Sequence, residues 1–370
     1  MRFVLIKSIG KEDRLCGTIR NPIHMLRLGD PLRKKILVHL VVIAALIVLA
    51  SMPARAGVTG ACHVSPIVAD LDRSLHFYRD LLGLEVSSAP AAGAIPWDTT
   101  TELLDLHGVP RGARLRYFGA RIPGVRCSIE PVQFDKIDRK AVHPRLQDAG
   151  TVMPILLVRN IDSIFSRLKA AGVPVVTTGG QPVAPVPTSK TRGVIVKDPD
   201  GHFVELAQLE PQPATTVPES SNIYEIRFRV TVRNLDEAVA YYRDRLGIPG
   251  MPGSFAAQSG VMAMMGLPEN GQYRFSAAQI PGSTLTLELM EFRGLKGGET
   301  KPRVQDPGAY RLQLNVDDVS ATVEVLKNSG SRVISTAGKP VRMMFGRPWL
   351  LAAVQDPNNI FLILQQGPLQ

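Results

Sequence analysis

Cysteine is scarce in this 370-residue chain: there are three, and no two of them stand as CxxC. That excludes a disulfide framework and gives no support to a thiolate zinc site. No P-loop, GxSxG or HExxH sequence occurs, so nucleotide hydrolysis, serine-hydrolase and zincin chemistry lack their motifs. Gly179-Gly180 follows a strand-like run, but no GxGxxG surrounds it. The formal charge of +10 is also smaller than it looks. Ten of the 43 Lys/Arg but only three of the 33 Asp/Glu fall in residues 1–56, which leaves the remainder close to balance. A nearly neutral body offers no footprint for a phosphate backbone, and nucleic acid is set aside as a partner. What remains, 45% hydrophobic and 21% charged, is a globular composition long enough for two folded units.

The basic excess has its own explanation. Arg33-Lys34-Lys35 precedes the apolar run 36–50, which is broken only by His39 and followed by Ala54-Arg55-Ala56. A positive n-region, a short apolar h-region and an A-x-A site read as a signal peptide, here residues 1–56, with cleavage expected after Ala56. The run falls short of the about 20 apolar residues of a membrane span. The expectation is a periplasmic or secreted protein with no membrane contact after cleavage; the alternative is an N-terminal anchor. Met25 is a second candidate start. Only Cys62 and Cys127 follow the leader, as a pair or as two buried thiols.

Internal repeats set the architecture. Residues 70–84, DLDRSLHFYRDLLGL, recur at 234–248 as NLDEAVAYYRDRLGI. Gly108-Val109-Pro110 matches Gly266-Leu267-Pro268, and Asp198-Pro199-Asp200 matches Asp356-Pro357-Asn358, both at an offset of 158. Residues 57–209 and 222–370 are thus two copies, joined by the Pro/Ser/Thr linker 210–221. Each copy divides again. Strand Val64–Val68, helix Leu71–Leu82 and strands near 84–87, 114–120 and 125–132 are followed by strand Pro154–Val158, helix Ile161–Ala171 and strands near 175–178, 191–197 and 202–208. The fold class expected is α+β, four βαβββ modules in two halves.

The phrases VADLDRSLHFYRDLLGL and LKAAGVPVVTTGG…VKDPDGHFVEL resemble the vicinal oxygen chelate superfamily, which includes glyoxalase I, bleomycin- and fosfomycin-resistance proteins and extradiol dioxygenases. The resemblance covers residues 58–366. It implies two tandem open-barrel, glyoxalase-like halves, with metal ligands from the first and last strands of each module. Aligned on the helix motif, it places His63, Glu130 and Glu205 as ligands of a divalent metal (Mn, Fe, Ni or Zn) in the N-terminal half, with Met153 at the fourth position. Glu130 or Glu205 would then be the catalytic base. One imidazole and two carboxylates suit such an ion and leave positions open for substrate. A thioether is a poor replacement for a fourth hard ligand. The structural alternative is a strand-end histidine and carboxylates paired with Lys or Arg. The equivalent C-terminal positions, Arg227, Glu288, Arg311 and Ile363, cannot form a metal site; they suggest an anion-binding ligand site or an ion-pair triad. His202 reads as structural, while His76 and His107 match no ligand position. The methionines of Val261–Met265 read as helix packing or pocket lining.

The function implied is an exported enzyme of the lyase, isomerase or dioxygenase type acting on a small oxygenated substrate. The alternative is a non-catalytic small-molecule binder of the bleomycin-resistance type, and a third reading has both cavities filled by side chains. Whether module 1 pairs with module 2 in the same chain or with another subunit is open, and a fused duplication is compatible with a monomer.

Overall fold

The computed structural model describes residues 57–87, 95–125 and 127–369. The leader, its apolar run and the cleavage point after Ala56 lie outside the described residues. Four strands open the four modules: β1 (Val58–Pro66), β7 (Val152–Val158), β10 (Ile223–Thr231) and β13 (Tyr310–Val316). The helices are α1 (Leu71–Leu75, continued by a π turn His76–Leu81), α2 (Thr101–Leu106), α3 (Ile161–Ala170), α4 (Leu235–Leu246), α5 (Ser259–Met264) and α6 (Val319–Lys327). Those that follow an opening strand, α1, α3, α4 and α6, start at Asp70, Asn160, Asn234 and Asp318. Each of these side chains accepts a hydrogen bond from an otherwise unpartnered backbone N–H of the first turn.

The remaining strands are β2 (Glu85–Ser87), β3 (Arg114–Tyr117), β4 (Gly119–Arg121), β5 (Ser128–Ile129), β6 (Val132–Asp135), β8 (Arg192–Lys197) and β9 (Phe203–Gln208) in the first copy. The second copy contributes β11 (Gln272–Gln279), β12 (Thr286–Arg293), β14 (Arg332–Val333), β15 (Val341–Met344), β16 (Pro348–Gln355) and β17 (Phe361–Gln366). The strand expected near 175–178 is reduced to a single bridge, Val175 to Val196.

The strands do not pair by sequence halves. One sheet runs β14-β16-β17-β13-β1-β5-β4-β2 with β15 on β16, and a second runs β11-β12-β10-β7-β9-β8. Module 1 joins module 4 through β1 against β13, and module 2 joins module 3 through β7 against β10, both antiparallel. The expected α+β fold of open sheets is present, with its modules joined 1 to 4 and 2 to 3. Residues 57–209 and 222–370 are copies in sequence, but each of these two large sheets takes strands from both copies. The linker 210–221 connects β9 to β10, two strands of one sheet, and Arg159 holds it by hydrogen bonds to the carbonyls of Val217 (2.8 Å) and Ser221 (3.1 Å). The reason is edge satisfaction. β7 is buried along its whole length, so both of its backbone edges need strand partners, and β9 and β10 supply them.

Two repeated motifs are explained by these joins. Gly108 and Gly266 both have positive φ, and a Cβ on either would lie about 2 Å from a carbonyl oxygen, that of Ile334 in module 4 or Val176 in module 2. The backbones meet where only glycine fits. Chain neighbours are joined differently. The Tyr78 hydroxyl donates to Asp198 (3.2 Å), tying α1 to the DPD turn of module 2, and Tyr242 donates to Asp356 (2.7 Å), tying α4 to the DPN turn of module 4. The described residues form one compact unit, and no helix among them is long and apolar enough to cross a membrane. Cys127 is a buried free thiol that donates to the carbonyl of Ala61.

Candidate functional site

Each sheet forms one wall of a cavity, about 340 Å³ between modules 1 and 4 and about 260 Å³ between modules 2 and 3. They are two versions of one site. Leu103, Leu106, Leu115, Tyr117 and Glu130 of the first occupy the repeat positions of Val261, Met264, Tyr273, Phe275 and Glu288 of the second. What differs is the polar content, and that difference determines what each can do.

In cavity 1, strand alternation turns His63 of β1 and Arg311 and Gln313 of β13 toward the same space. His63 Nδ1 is hydrogen-bonded to the Ser128 hydroxyl at 2.7 Å, and its Nε2 lies 4.0 Å from a Glu130 carboxylate oxygen. The other Glu130 oxygen accepts from Arg311 Nη2 at 3.3 Å. Arg311 Nη1 donates to His107 Nε2, while His107 Nδ1–H donates to the Leu103 carbonyl at 2.8 Å. That arrangement needs a neutral imidazole. Burial, and then the adjacent Arg311 charge, push the His107 pKa down to about 3. Burial also pulls Arg311 below the usual arginine range, against the opposing pull of Glu130. Arg311 Nε is buried with no hydrogen-bond partner. Gln313 donates to Gln365 beside it. The walls are apolar and aromatic, with Leu103 and Leu106 from α2, Tyr117 from β3, and Phe345 and Trp349 from the hairpin of β15 and β16.

Cavity 2 is built around a different arginine. On β10 the alternation exposes Glu225, Arg227 and Arg229 on one face. Arg229 Nη1 donates to Glu205 at 2.6 Å, and its Nε and Nη2 donate to one oxygen of Glu288 at 3.0 and 2.8 Å. Arg227 stands 3.7 Å from the second Glu288 oxygen and donates to Glu225 at 2.7 Å. Burial raises the Glu205 pKa, with Arg229 pulling the other way. The remaining walls carry Ile155, Leu157, Val261, Met264, Met265 and Met290. The methionines expected as packing or pocket lining do both, since Met262 is buried in the core behind them.

The residues singled out from sequence are therefore redistributed. Of His63, Glu130 and Glu205, the first two meet in cavity 1 and Glu205 lies in cavity 2. Of Arg227, Glu288 and Arg311, the first two meet in cavity 2 and Arg311 lies in cavity 1. Both corrections follow from the exchange of module partners. Met153 is buried opposite Arg229 in the strand register, and Ile363 lines cavity 1 where Glu205 lines cavity 2. His202 is structural: its Nε2 is 3.0 Å from the Ile67 carbonyl, and its ring stacks edge-on against Tyr310. Two functional side chains escaped the sequence reading, Arg229 and His107. Arg229 is two residues beyond Arg227 on the same strand face. His107 takes the repeat position of Met265, a polar-for-apolar change between copies.

A profile of the Glyoxalase/Bleomycin resistance protein/Dioxygenase superfamily matches residues 61–206. Glyoxalase I from Zea mays is similar in fold, at 18% identity and a TM-score of 0.53 over 83% of this chain and 92% of that one. A variant of the same enzyme gives 17% and 0.54 over the same shares. A candidate dioxygenase from Bacillus subtilis gives 12% and 0.51 over 85% of this chain and 87% of that one. Residues 61–206 therefore carry this superfamily's sequence pattern, and the glyoxalase-like fold extends over most of the chain. No curated protein matches the sequence.

The glyoxalase-like fold raises the question of a divalent ion, which can be put to the donors themselves. Cavity 1 supplies His63 and Glu130, but the position of a second carboxylate is Ile363, and Arg311 already engages Glu130. Cavity 2 supplies Glu205 and Glu288, with a guanidinium between them. Among the described residues no three His, Cys, Asp or Glu side chains are grouped to hold an ion. Neither donor set fits a divalent metal.

Proposed function

We propose that this glyoxalase-superfamily protein is an exported, metal-independent binder of a small oxygenated molecule, and that cavity 1 is its binding site. The observation that carries the reading is Arg311, a buried guanidinium at the cavity floor with Nε unpartnered and a single, long contact to a carboxylate. A cavity of about 340 Å³ with aromatic and aliphatic walls and a few convergent polar groups is the usual form of a small-molecule site. A flat apolar body fits between Tyr117, Phe345 and Trp349, with an oxygen acceptor directed at Arg311 and Gln313.

Titration calorimetry with 2-naphthoate as probe tests this. Binding is expected to survive a chelator and to weaken roughly tenfold or more in Arg311→Met, the loss of one charge-assisted hydrogen bond. Binding that requires an added metal ion, or that is unchanged in Arg311→Met, contradicts the proposal.

A second reading, catalysis, rests on His63 and Glu130. Their facing Nε2 and carboxylate oxygen, 4.0 Å apart at the cavity wall, can hold and pass a proton of a bound molecule, with Ser128 fixing the ring. His63→Ala then abolishes turnover while leaving probe affinity within a few-fold.

A further inference from the structure

The repeat shows how the charges of cavity 2 are balanced. Cavity 2 has two carboxylates at the repeat positions where cavity 1 has one, since Glu288 matches Glu130 but Glu205 matches Ile363. It also has a guanidinium at a position where module 1 has a hydroxyl, because Arg229 matches Ser65, while the arginine of cavity 1, Arg311, matches Met153. The second acid and this arginine occur together. Glu205 comes from the last strand of module 2, and Glu288 from the second strand after α5 in module 3. Their side chains are 5% and 7% exposed, and both converge on a guanidinium that is 12% exposed. Two buried carboxylates this close repel each other unless a cation lies between them. Arg227 does not serve that role, because its Nε is committed to Glu225 and it is 3.7 Å from Glu288.

We propose that the Arg229 guanidinium is the resident cation of cavity 2, occupying the place between Glu205 and Glu288 that a divalent metal ion would otherwise fill. The pocket is thereby a permanently closed cation site that needs no metal supply, and it presents its aliphatic and methionine walls to an uncharged ligand. This inference stands independently of ligand binding in cavity 1.

The test is thermal unfolding with and without added Mn²⁺ or Zn²⁺, alongside metal analysis of the purified full chain. Three proteins are compared: wild type, Arg229→Ser, which installs the residue of the other copy, and Arg229→Ser/Glu205→Gln, which also removes one of the repelling charges. Arg229→Ser is expected to lose about 10 °C in Tm, regain most of it with metal, and carry about one ion. The double variant is expected to be less destabilised and to gain little from metal. Wild type is expected to be indifferent to metal and chelator. Equal metal stabilisation of wild type overturns the proposal, because the guanidinium would then yield its place. So does an Arg229→Ser protein that metal neither folds nor stabilises while the double variant folds, because the two carboxylates would then not form a cation site.

Discussion

At the scale of single residues, cavity 1 depends on a histidine that burial keeps neutral near physiological pH. His107 is held as the Nδ1–H tautomer by the Leu103 carbonyl, and this turns its Nε2 lone pair toward Arg311. With a pKa pushed down to about 3, it remains an acceptor throughout the physiological range. Replacing it with methionine, its counterpart in cavity 2, leaves a buried guanidinium short of an acceptor, which costs about 2 kcal/mol. The double replacement His107→Met/Arg311→Met reproduces the pair Met265 and Met153 that the other copy already packs. We therefore expect its destabilisation, measured by urea unfolding, to be smaller than the sum of the two single effects. Strict additivity would show that the two side chains do not act as a pair.

At the scale of elements, the turn that follows the penultimate strand of modules 2 and 4 carries a buried carboxylate, Asp198 and Asp356. Asp356 accepts from the Tyr242 hydroxyl and from the backbone N–H groups of Asn358 and Ile360, yet burial outweighs these bonds and raises its pKa to about 6. The unfolded chain releases this proton near pH 4, so between about pH 4 and 6 the folded state binds more protons. This group's contribution is therefore greatest at or below pH 4, declines as pH rises through 6 and is constant above, a change of up to about 3 kcal/mol. Asp356→Asn should remove that component, so that the difference in unfolding free energy between variant and wild type shifts in favour of the variant from pH 4 to pH 7. A pH-independent difference would show that Asp356 titrates normally in the fold. The DPD and DPN turns and the helices that follow the opening strands were legible in the sequence because they are local: a 3.6-residue apolar period and repeated turn residues fix them within a few positions. The short helix α2 lies in the loop after β2, where no long periodic pattern marks it, although it brings Leu103, Leu106 and His107 to the cavity.

At the scale of the whole molecule, partner choice was not legible. Four modules present the same kind of opening strand, and local chemistry cannot say whether β1 takes β7 or β13. That choice is made by the sum of long-range contacts, and it decides which of the six singled-out residues share a cavity. It also makes a prediction that separates the observed pairing from tandem halves. In the structure β1 meets β13 from Val58–Val316 to Pro66–Tyr310, and β7 meets β10 from Val158–Ile223 to Val152–Val230. Cutting at 210–221 therefore severs both joins at once, leaving β1 and β7 of one fragment, and β10 and β13 of the other, with an open apolar edge. Fragments 57–209 and 222–370 expressed separately should be insoluble or self-associated. Co-expressed, they should form a 1:1 complex that co-purifies and melts in one transition, because the edges that each exposes are the edges the other covers. Two soluble, independently melting monomers would mean that modules 1 and 2 close on each other when given the chance. The cross-paired cavities, and the roles assigned to Arg311 and Arg229 within them, would then have to be abandoned together.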